Sequence, residues 1–318
     1  MRAVELPGPL AAALTTVGRG SRPAAAQALS DRYRAGASSA AGHVLRSEGE
    51  LAAYATVRFP ATYAAAVAAC SAVAAAAPAF APRTLLDVGS GLGATACAAT
   101  AVWPSLTEVT CVEPDARAVA RGRELVAAAA PNATVTWVTG DWRSATGPAD
   151  LVTAGYVGNE LADPVTFARG LWGATGAVLL LLEPGRREAY QALLASRDAL
   201  LTDGAHTVAP CPHDDRCPLP RSDWCHFGQR LPRTAAHRHA KGGEQSYEDE
   251  PYSYVAMGRE PAALHPGRVL RRPVRRKGLV ELQVCAPDGT AGPVRIGRSA
   301  PTYREAKDVD WGDSWPSP

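Results

Sequence analysis

The sequence has little lysine and almost no net charge. Its 318 residues include 33 basic and 31 acidic ones, which leaves a formal net charge of +2. A protein with so small a charge has no global basic field, which argues against a general nucleic-acid binder. The only lysines are Lys241, Lys277 and Lys307, and the other basic residues are arginines. Together with the abundance of alanine, this bias indicates a high-GC bacterial genome.

Long apolar runs are also missing. No apolar stretch reaches membrane-spanning length, and the opening residues, with an early Glu5 and a proline-broken apolar stretch, make a poor signal peptide. Seven cysteines are an odd number, and three of them fall in predicted core segments, which argues for a reducing compartment rather than a disulfide framework. We therefore expect a protein of the bacterial cytoplasm without a membrane partner. We also expect a monomer.

The most informative stretch is residues 83–93, RTLLDVGSGLG. A strand, a glycine turn and a helix, in this order, place backbone N–H groups at a helix N-terminus, where a ligand can approach the main chain. The spacing is G-x-G-x-G rather than the dinucleotide fingerprint G-x-G-x-x-G. The acid before the first glycine would repel a pyrophosphate but suits a ligand with an ammonium group. The pattern is similar to the first motif of S-adenosylmethionine-dependent methyltransferases; a glycine turn of another α/β protein is the alternative. The candidate cofactor-binding residues here are Asp87, Gly89, Ser90, Gly91 and Gly93.

Residues 83–183 alternate predicted strands and helices, the pattern of a parallel sheet with crossover helices. We expect helices after the first, second and fifth of the strands at 84–88, 108–112, 134–138, 150–155 and 176–182. Ligands bind at the carboxyl ends of such strands. Glu113 ends the second strand, where an acid accepts hydrogen bonds from ribose hydroxyls. Asp141 follows the third strand and could meet an adenine amino group, with Trp142 as an apolar wall. Alone, each acid could be a solvated loop carboxylate; together with the glycine loop they favour S-adenosylmethionine over NAD.

The end of the fourth strand leads into AGYVGNELADP. Methyltransferases place the residues that touch the methyl acceptor at this position, so Asn159 and Glu160 are the candidate catalytic residues. The string is not the Asn-Pro-Pro-aromatic motif of amino-group methylation, and it lacks the Pro-Cys nucleophile of carbon-5 pyrimidine methylation. The scarcity of lysine argues against the tetrad of ribose 2′-O methylation. The alternative is a polar turn in which Asn159 caps the next helix.

Before the sheet, residues 1–80 are rich in Ala, Leu and Arg and predict a helical region. Within it, Arg58, Thr62 and Tyr63 lie at the start of one predicted helix. This stretch is either a simple capped helix or a lid over the cofactor pocket. We divide the chain into this region, a Rossmann-like core at 81–204, a cysteine-rich insertion at 205–262, and C-terminal strands and tail at 263–318 that complete the sheet.

The cysteine-rich insertion holds Cys211, Cys217 and Cys225 in a Pro-rich loop, and Cys285 ends a later strand. Thiols in a loop without other structure suggest a ligand that orders them. Zinc usually takes closer Cys pairs, although His213 and His226 could serve. An iron–sulfur cubane takes four thiolates. Four unpaired cysteines without a metal are the third alternative.

A local basic patch follows in RVLRRPVRRKG, where six of eleven residues are basic. Such a patch suits a phosphate backbone, whereas a solvated hairpin edge protected by charge is the alternative. The candidate RNA-binding residues are Arg268, Arg271, Arg272, Arg275, Arg276 and Lys277.

Taken together, these motifs resemble the methyltransferase-like family associated with the mitochondrial small ribosomal subunit, in its bacterial branch. The matching stretches, in order, are ALSDRYR, AYATVRFPATYAA, LLDVGSGLGA, NEL, LLLEPG, CPHDDRCPL, DWCHFGQRLPR, EDEPYSYVA, RRPVRRKG, VCAPDG and WGDSWP. The resemblance implies an α/β fold with a Rossmann-like seven-stranded methyltransferase sheet. It also implies a 4Fe–4S cluster on the four cysteines and association with small-subunit rRNA.

Three functions therefore compete. The first is an S-adenosylmethionine-dependent methyltransferase-like protein that acts on, or binds, small-subunit rRNA and carries a structural 4Fe–4S cluster. The second is a non-catalytic assembly factor of the small ribosomal subunit that binds the same cofactor. The third is a small-molecule methyltransferase.

Overall fold

The computed structural model describes residues 3–34, 47–144, 147–261 and 266–316. These residues form ten α-helices and thirteen strands. The helices are α1 (Gly8–Val17), α2 (Pro23–Arg34), α3 (Glu48–Val57), α4 (Phe59–Ala76), α5 (Ala94–Val102), α6 (Ala116–Ala129), α7 (Pro164–Gly173), α8 (Arg187–Thr202), α9 (Ala235–Lys241) and α10 (Tyr303–Asp308). The strands are β1 (Thr84–Val88), β2 (Glu108–Glu113), β3 (Thr134–Thr139), β4 (Ala149–Gly155), β5 (Thr175–Pro184), β6 (His206–Ala209), β7 (Phe227–Pro232), β8 (Tyr247–Gly258), β9 (Gly267–Val269), β10 (Val274–Arg276), β11 (Leu279–Cys285), β12 (Ala291–Gly297) and β13 (Ser314–Trp315).

The central sheet has the strand order β3-β2-β1-β4-β5-β8-β6, with β7 also paired to β8. Strands β1 to β5 pair in parallel, and β8 is antiparallel to its neighbours β5, β6 and β7. The predicted α/β class with a mostly parallel sheet is therefore confirmed, although the described sheet has eight strands rather than seven. The strand order reverses between β1 and β4, and ligands bind at the carboxyl ends of the strands at such a point.

Buried side chains on both faces explain why this sheet is covered by helices. Along β1, Leu85 packs into the apolar layer that includes α4, α5 and α6, whereas Leu86 packs into the layer that includes α7 and α8. Successive side chains of a strand point to opposite faces, so one apolar run supplies both layers. Besides the expected helices after the first, second and fifth strands, α7 follows the fourth.

Helix α4 corrects one expectation about apolar runs. Its 18 residues, Phe59–Ala76, are long and apolar enough to cross a membrane by length and composition alone. Over half of this stretch is buried inside the protein, and Phe59, Tyr63 and Val73 belong to the main core. A core helix passes the same test of length and composition, and the packing of α4 matches that description.

The strands after residue 262 differ from the prediction that they complete the central sheet. They form a second sheet of order β10-β11-β9-β13, with β12 also paired to β11. This sheet has its own apolar cluster, in which Val269, Leu282 and Trp315 are buried. The central sheet is instead extended by β6, β7 and β8, which come from the segment predicted as the insertion. The predicted boundary at 262/263 lies outside the described residues.

Candidate functional site

The glycine loop between β1 and α5 has a left-handed backbone at three positions. The φ angles are +67° at Gly89, +54° at Gly91 and +84° at Gly93, a region that side chains rarely adopt. A Cβ at Gly89 would lie 2.5 Å from Val157 Cγ2, and one at Gly93 would lie 2.3 Å from Val126 Cγ2. A Cβ at Gly91 would meet nothing within 4 Å. Packing therefore requires two of the glycines, and the middle one faces open space.

Asp87 lies directly beneath this loop and is 1% exposed. Its Oδ1 accepts a hydrogen bond from Thr153 Oγ1 at 2.7 Å, and Ser90 Oγ donates to its backbone carbonyl at 2.8 Å. Its Oδ2 is buried and has no hydrogen-bond partner among the described residues. Burial raises the pKa of Asp87 to about 6, against the lowering effect of the Thr153 hydrogen bond. A buried carboxylate oxygen without a donor is the kind of atom that a cationic ligand would satisfy.

Glu113, at the end of β2, is tied to the same loop. Its Oε2 accepts from the Gly91 N–H at 2.8 Å, and its Oε1 accepts from the Asp115 N–H at 2.9 Å. These two backbone contacts fix the carboxylate beside the glycine loop. The structure thus brings Asp87, Glu113 and the glycine loop to one edge of the sheet.

Asp141 and Trp142 follow β3 at the same edge but are less enclosed. The Gly140 N–H donates to the Glu113 carbonyl at 3.2 Å, which holds the two strand ends together. The Asp141 side chain is 54% exposed and pairs with Arg143 at 3.0 Å. Trp142 packs edge-on against Phe167, with ring centroids 5.8 Å apart. Trp142 is therefore fixed by packing, whereas the Asp141 side chain is exposed and paired with Arg143.

Asn159 and Glu160 lie in a short turn, Gly158–Glu160, after β4. Asn159 Nδ2 donates to Glu183 Oε2 at 2.7 Å, and the Gly158 N–H donates to Glu183 Oε1 at 2.7 Å. Asn159 is not the cap of the following helix, which differs from the capping alternative, because Asp163 accepts from the Thr166 N–H there. The turn is held by a carboxylate that is 4% exposed.

Sequence reasoning missed Glu183 although it ends β5, in the quoted stretch LLLEPG. An acid at the end of the fifth strand could have been recognised from the sequence. Its hydrogen-bond partners, Gly158 and Asn159, could not, because they lie about 25 residues earlier in the chain. Burial raises the pKa of Glu183 to about 7. Burial, and then the charges of Glu183 and Glu113, raise the pKa of Glu160 to about 8. The edge therefore collects carboxyl groups that resist ionisation at neutral pH.

The junction of α3 and α4 is tied to β8 and to the residue that follows β4. Arg58 donates to Glu250 Oε2 at 3.2 Å and to Oε1 at 3.0 Å, and Tyr156 Oη donates to the same Oε1 at 3.0 Å. Tyr54 is close enough to Glu160 and Glu113 for their charges to act on it, although burial is the main reason that its pKa is raised. Arg58 makes no side-chain cap for α4. The lid over the cofactor stays a prediction, and the sequence did not single out Glu250 or Tyr156.

The four candidate cysteines line one cavity of about 40 Å³. Cys285 Sγ lies 3.4 Å from His213 Nε2, and Cys217 Sγ lies 3.0 Å from Tyr190 Oη. Burial raises the pKa of Cys285 to about 12, so this thiol needs a bound cation to become a thiolate at neutral pH. The volume exceeds that of a single water site. The other lining side chains include Arg197 and Arg268.

The four thiols line the same cavity, but they are not arranged as the ligands of a metal ion. Within the part of the chain that the structure describes, no group of three or more His, Cys, Asp or Glu side chains is placed to hold a metal ion. His226 stacks on Trp224 with ring centroids 5.0 Å apart, and His213 is among the residues that line the cavity. The predicted iron–sulfur or zinc centre is therefore not shown. Cys70, Cys97 and Cys111 are buried in the core.

The six residues of the basic patch divide into two groups. Arg268 is 6% exposed and donates to the carbonyls of Pro210 at 3.1 Å and Gly312 at 2.8 Å. Arg271 donates to Asp223 and to the Trp224 carbonyl. These two arginines hold the cysteine loop rather than facing solvent. The remaining residues are exposed on or beside β10: Arg272, Arg275, Arg276 and Lys277.

The chain was also compared with known families and proteins. A sequence profile described as "Mitochondrial small ribosomal subunit Rsm22" matches residues 48–316. The human "Ribosome assembly protein METTL17, mitochondrial" is 30% identical over 267 residues, covering 75% of this chain and 56% of the relative. The "Rsm22-cox11 tandem protein 2, mitochondrial" of Schizosaccharomyces pombe is 26% identical over 299 residues, covering 73% and 38%. The chain thus spans about half or less of these relatives. Their names contradict the predicted bacterial cytoplasmic location, because both are mitochondrial proteins.

The comparison with solved structures matched methyltransferases at low similarity. The magnesium protoporphyrin IX methyltransferase of Synechocystis PCC 6803 with bound SAM has a TM-score of 0.40 and 14% identity, covering 63% of this chain and 80% of that one. The plantazolicin methyltransferase BpumL in complex with SAH has a TM-score of 0.38 and 11% identity, covering 64% and 85%.

Proposed function

The chain belongs to the mitochondrial small ribosomal subunit Rsm22 family, and from this premise we propose that it is a methyltransferase-like protein that binds S-adenosylmethionine and acts on the small ribosomal subunit of mitochondria. The observation that carries the proposal is Asp87, whose buried Oδ2 lacks a donor beside an open glycine loop. The carboxylate charge would attract a ligand with an ammonium or sulfonium charge bound beside the loop, whereas it would repel a pyrophosphate.

The remaining contacts follow from the same edge of the sheet. Glu113, held beside the loop by the Gly91 N–H, would accept hydrogen bonds from ribose hydroxyls, and the open space at Gly91 leaves room for the ligand beside the main chain. Asp141 and Trp142 would take the adenine end, the first as an acceptor and the second as an apolar surface. The cofactor-binding residues in this proposal are Asp87, Gly89, Ser90, Gly91, Gly93, Glu113, Asp141 and Trp142.

Beside the cofactor, the turn after β4 would meet the methyl acceptor. Bound S-adenosylmethionine supplies an already activated methyl group, so the protein has to orient the acceptor and exclude water. Because Asn159 commits its Nδ2 to Glu183, its Oδ1 is left as an acceptor for an N–H or O–H of the substrate. Glu160, with a pKa of about 8, is mostly protonated at pH 7 and would act there as a donor.

A second candidate is a non-catalytic assembly factor that binds the same cofactor. It is favoured by the name of the human relative, a ribosome assembly protein, and by the absence of an established acceptor motif at Asn159 and Glu160. Under this alternative the protein binds S-adenosylmethionine but does not transfer its methyl group.

Methyl transfer separates the two candidates. Small subunits from cells lacking the gene would be incubated with the protein and labelled S-adenosylmethionine, with the Asp87→Asn variant as control. Label in the rRNA that depends on Asp87 supports the enzyme. Cofactor binding and subunit binding without label support the assembly factor. A protein that binds neither the cofactor nor the subunit contradicts both candidates, and methylation of small molecules without any retention on subunits supports the third function.

For the cysteine cavity we propose a structural 4Fe–4S cluster. Four thiols around one cavity are the donor set that a cubane takes, and zinc is the alternative with the same thiols. Cys211, Cys217, Cys225 and Cys285 would hold the group, which would order the loop between β6 and β7 and join it to β11. Iron and acid-labile sulfide in anaerobically purified protein would support this, and stoichiometric zinc in a colourless, stable protein would reject it.

The exposed part of the basic patch is proposed as the rRNA contact. Arg272, Arg275, Arg276 and Lys277 are exposed on or beside β10, an edge strand, where a phosphate backbone could approach. Arg272 also pairs with Asp249, and Arg275 also donates to the carbonyls of Lys307 and Val309. Arg268 and Arg271 are left out of this contact because their guanidinium groups serve the cysteine loop.

A further inference from the structure

Two arginine side chains are buried beside the four thiols. Arg197, on α8, is 2% exposed, and Arg268, on β9, is 6% exposed; both line the cysteine cavity. A guanidinium group is always charged at physiological pH, and a buried charge is costly unless a charge of opposite sign lies near it. The cavity therefore carries two positive charges that need an explanation.

The partners of Arg197 leave most of its charge uncompensated. Its NH2 group donates to the carbonyls of His213 at 3.0 Å and Asp215 at 2.9 Å, which belong to the cysteine loop. Its NH1 group pairs with Asp198 at 2.9 Å, but the Asp198 side chain is 50% exposed and therefore well screened by water. Its Nε is buried without a partner among the described residues. The carbonyls position the guanidinium but do not neutralise it.

Arg268 is placed in a similar way from the other side. It donates to the carbonyl of Pro210, the residue before Cys211, and to the carbonyl of Gly312. Among the residues that the structure describes, no carboxylate forms an ion pair with it. Arg197 and Arg268 therefore line the same cavity, and backbone carbonyls of the surrounding segments fix each guanidinium group.

A third polar group lies on the α8 side of the cavity. Tyr190 Oη is 3.0 Å from Cys217 Sγ, and either atom could donate when the cysteine is a thiol. When the cysteine is a thiolate, only the hydroxyl can donate, and the contact becomes a charge-assisted hydrogen bond. Tyr190 and Arg197 are seven residues apart, so two turns of α8 carry both groups.

We propose that Arg197, Arg268 and Tyr190 form a cationic shell that stabilises a negatively charged metal–thiolate centre on Cys211, Cys217, Cys225 and Cys285 and sets how readily that centre accepts an electron. The inference rests on the proposed metal site. Four thiolates carry four negative charges, and a doubly charged metal core cancels two of them. The two that remain match the two guanidinium groups. Charge and hydrogen bonds near the sulfurs are known controls of the reduction potential of such centres.

The test measures metal content and midpoint potential in four variants of the 318-residue chain and in one control. Arg197→Met and Arg268→Met remove one charge each, Tyr190→Phe removes one hydrogen bond, and Arg197→Lys keeps the charge. Arg187→Met is the matched control, because Arg187 is exposed on the same helix. Iron, sulfide and zinc per chain are determined after anaerobic purification, and the potential is read from the visible absorbance during a reductive titration.

We expect Arg197→Met to lower the potential so that the reduced-to-oxidised ratio at a fixed poise falls about tenfold, which is about 59 mV for a one-electron couple. Arg268→Met should act in the same direction, Tyr190→Phe should give a smaller fall with full iron content, and Arg197→Lys and Arg187→Met should stay close to the wild type. If the wild type holds zinc, the same order should appear in the rate at which a chelator removes the metal.

Wild-type potentials and metal retention in Arg197→Met and Tyr190→Phe would overturn the inference while leaving the proposed metal site intact. A wild-type protein without any bound metal would overturn both. Because Arg197→Met could also lose fold, Tyr190→Phe, which keeps the ring and its packing, gives an independent reading.

Discussion

The cofactor edge and the cysteine cavity bury ionisable groups of opposite kinds. The edge buries the carboxyl groups of Asp87 and Glu183, with Glu160 half-buried beside them, whereas the cavity buries the guanidinium groups of Arg197 and Arg268. The first arrangement suits a cationic ligand and the second an anionic centre. A protein with a net charge of only +2 can therefore hold two sites that prefer ligands of opposite charge, because the groups buried at each site rather than the total charge decide what it binds.

The largest effect is expected when the cavity loses one thiol. Cys217→Ser should abolish the bound metal and release the loop between β6 and β7, since nothing else of similar strength would offset the cost of ordering it. Metal analysis and limited proteolysis measure the two consequences. Cys70→Ala, in the core, is the control; a Cys217→Ser protein with full metal content would contradict the account.

At the opposite site, Asp87→Asn tests the role of the carboxylate charge. Loss of one partner of a buried charged pair costs about 2–5 kcal/mol, so S-adenosylmethionine should bind roughly 30-fold more weakly or worse. Calorimetric titration measures the affinity, and Asp203→Asn, in an exposed ion pair with Arg169, should behave as the wild type. Unchanged affinity in Asp87→Asn would show that the cofactor is not held at this edge.

Glu183→Ala should loosen the turn that carries Asn159. The change leaves the N–H of Gly158 and the amide of Asn159 without their acceptor, at a cost of about 1–3 kcal/mol for each buried donor. Denaturant unfolding measures the lost stability, and methyl transfer, if present, should fall more than cofactor affinity. Glu188→Ala, exposed on α8, is the control; equal losses in both variants would remove Glu183 from this role.

Raised carboxyl pKa values predict a pH-dependent stability. Asp87, Glu183 and Glu160, with pKa values of about 6, 7 and 8, are protonated in the folded protein at pH values where the unfolded chain has released these protons. Their contribution to stability is present below pH 4 to 5 and is lost as the pH rises to about 8. Glu160→Gln should therefore be more stable than the wild type at pH 8, with the gap closing towards pH 5.

Thermal unfolding of the wild type and of Glu160→Gln from pH 5 to pH 9 measures this gap, and the difference between the two proteins cancels the titration of groups that they share. Saturating S-adenosylmethionine should reduce it, because a cation favours the ionised carboxyl groups. A gap that does not change with pH would contradict the raised pKa of Glu160.

The smallest effect concerns the exposed basic residues beside β10. Arg276→Ala and Lys277→Ala should each weaken RNA binding and reduce the slope of log affinity against log salt by about 1, if each contacts one phosphate. Arg187→Ala on α8 serves as the control. Slopes equal to that of the wild type would move the RNA contact to another surface.

The two sites also differ in how far the sequence predicts them. The glycine loop, Asp87 and the strand-end acids could be found because each follows its own strand, and parallel strands bring their ends to one edge. Glu183 could not be assigned a role, since its bonds to Gly158 and Asn159 depend on the spacing of β4 and β5.

At the cysteine cavity, the sequence predicts the four thiols but not the charged side chains beside them. Arg197 lies on an otherwise amphipathic helix and reads as a solvated residue, so only the packing of α8 against the loop shows that it is buried. Arg268 was predicted on the surface with its neighbours. It is buried because β9 lies between β11 and β13 in the second sheet, a pairing that brings together residues far apart in sequence.

The most direct test of the central claim is a calorimetric titration of the wild-type protein with S-adenosylmethionine and, separately, with NAD at neutral pH. The account predicts saturable binding of S-adenosylmethionine at one site per chain and no measurable binding of NAD, because Asp87 favours a cation and repels a pyrophosphate. Preferential binding of NAD, or no binding of S-adenosylmethionine to the folded protein, would contradict it.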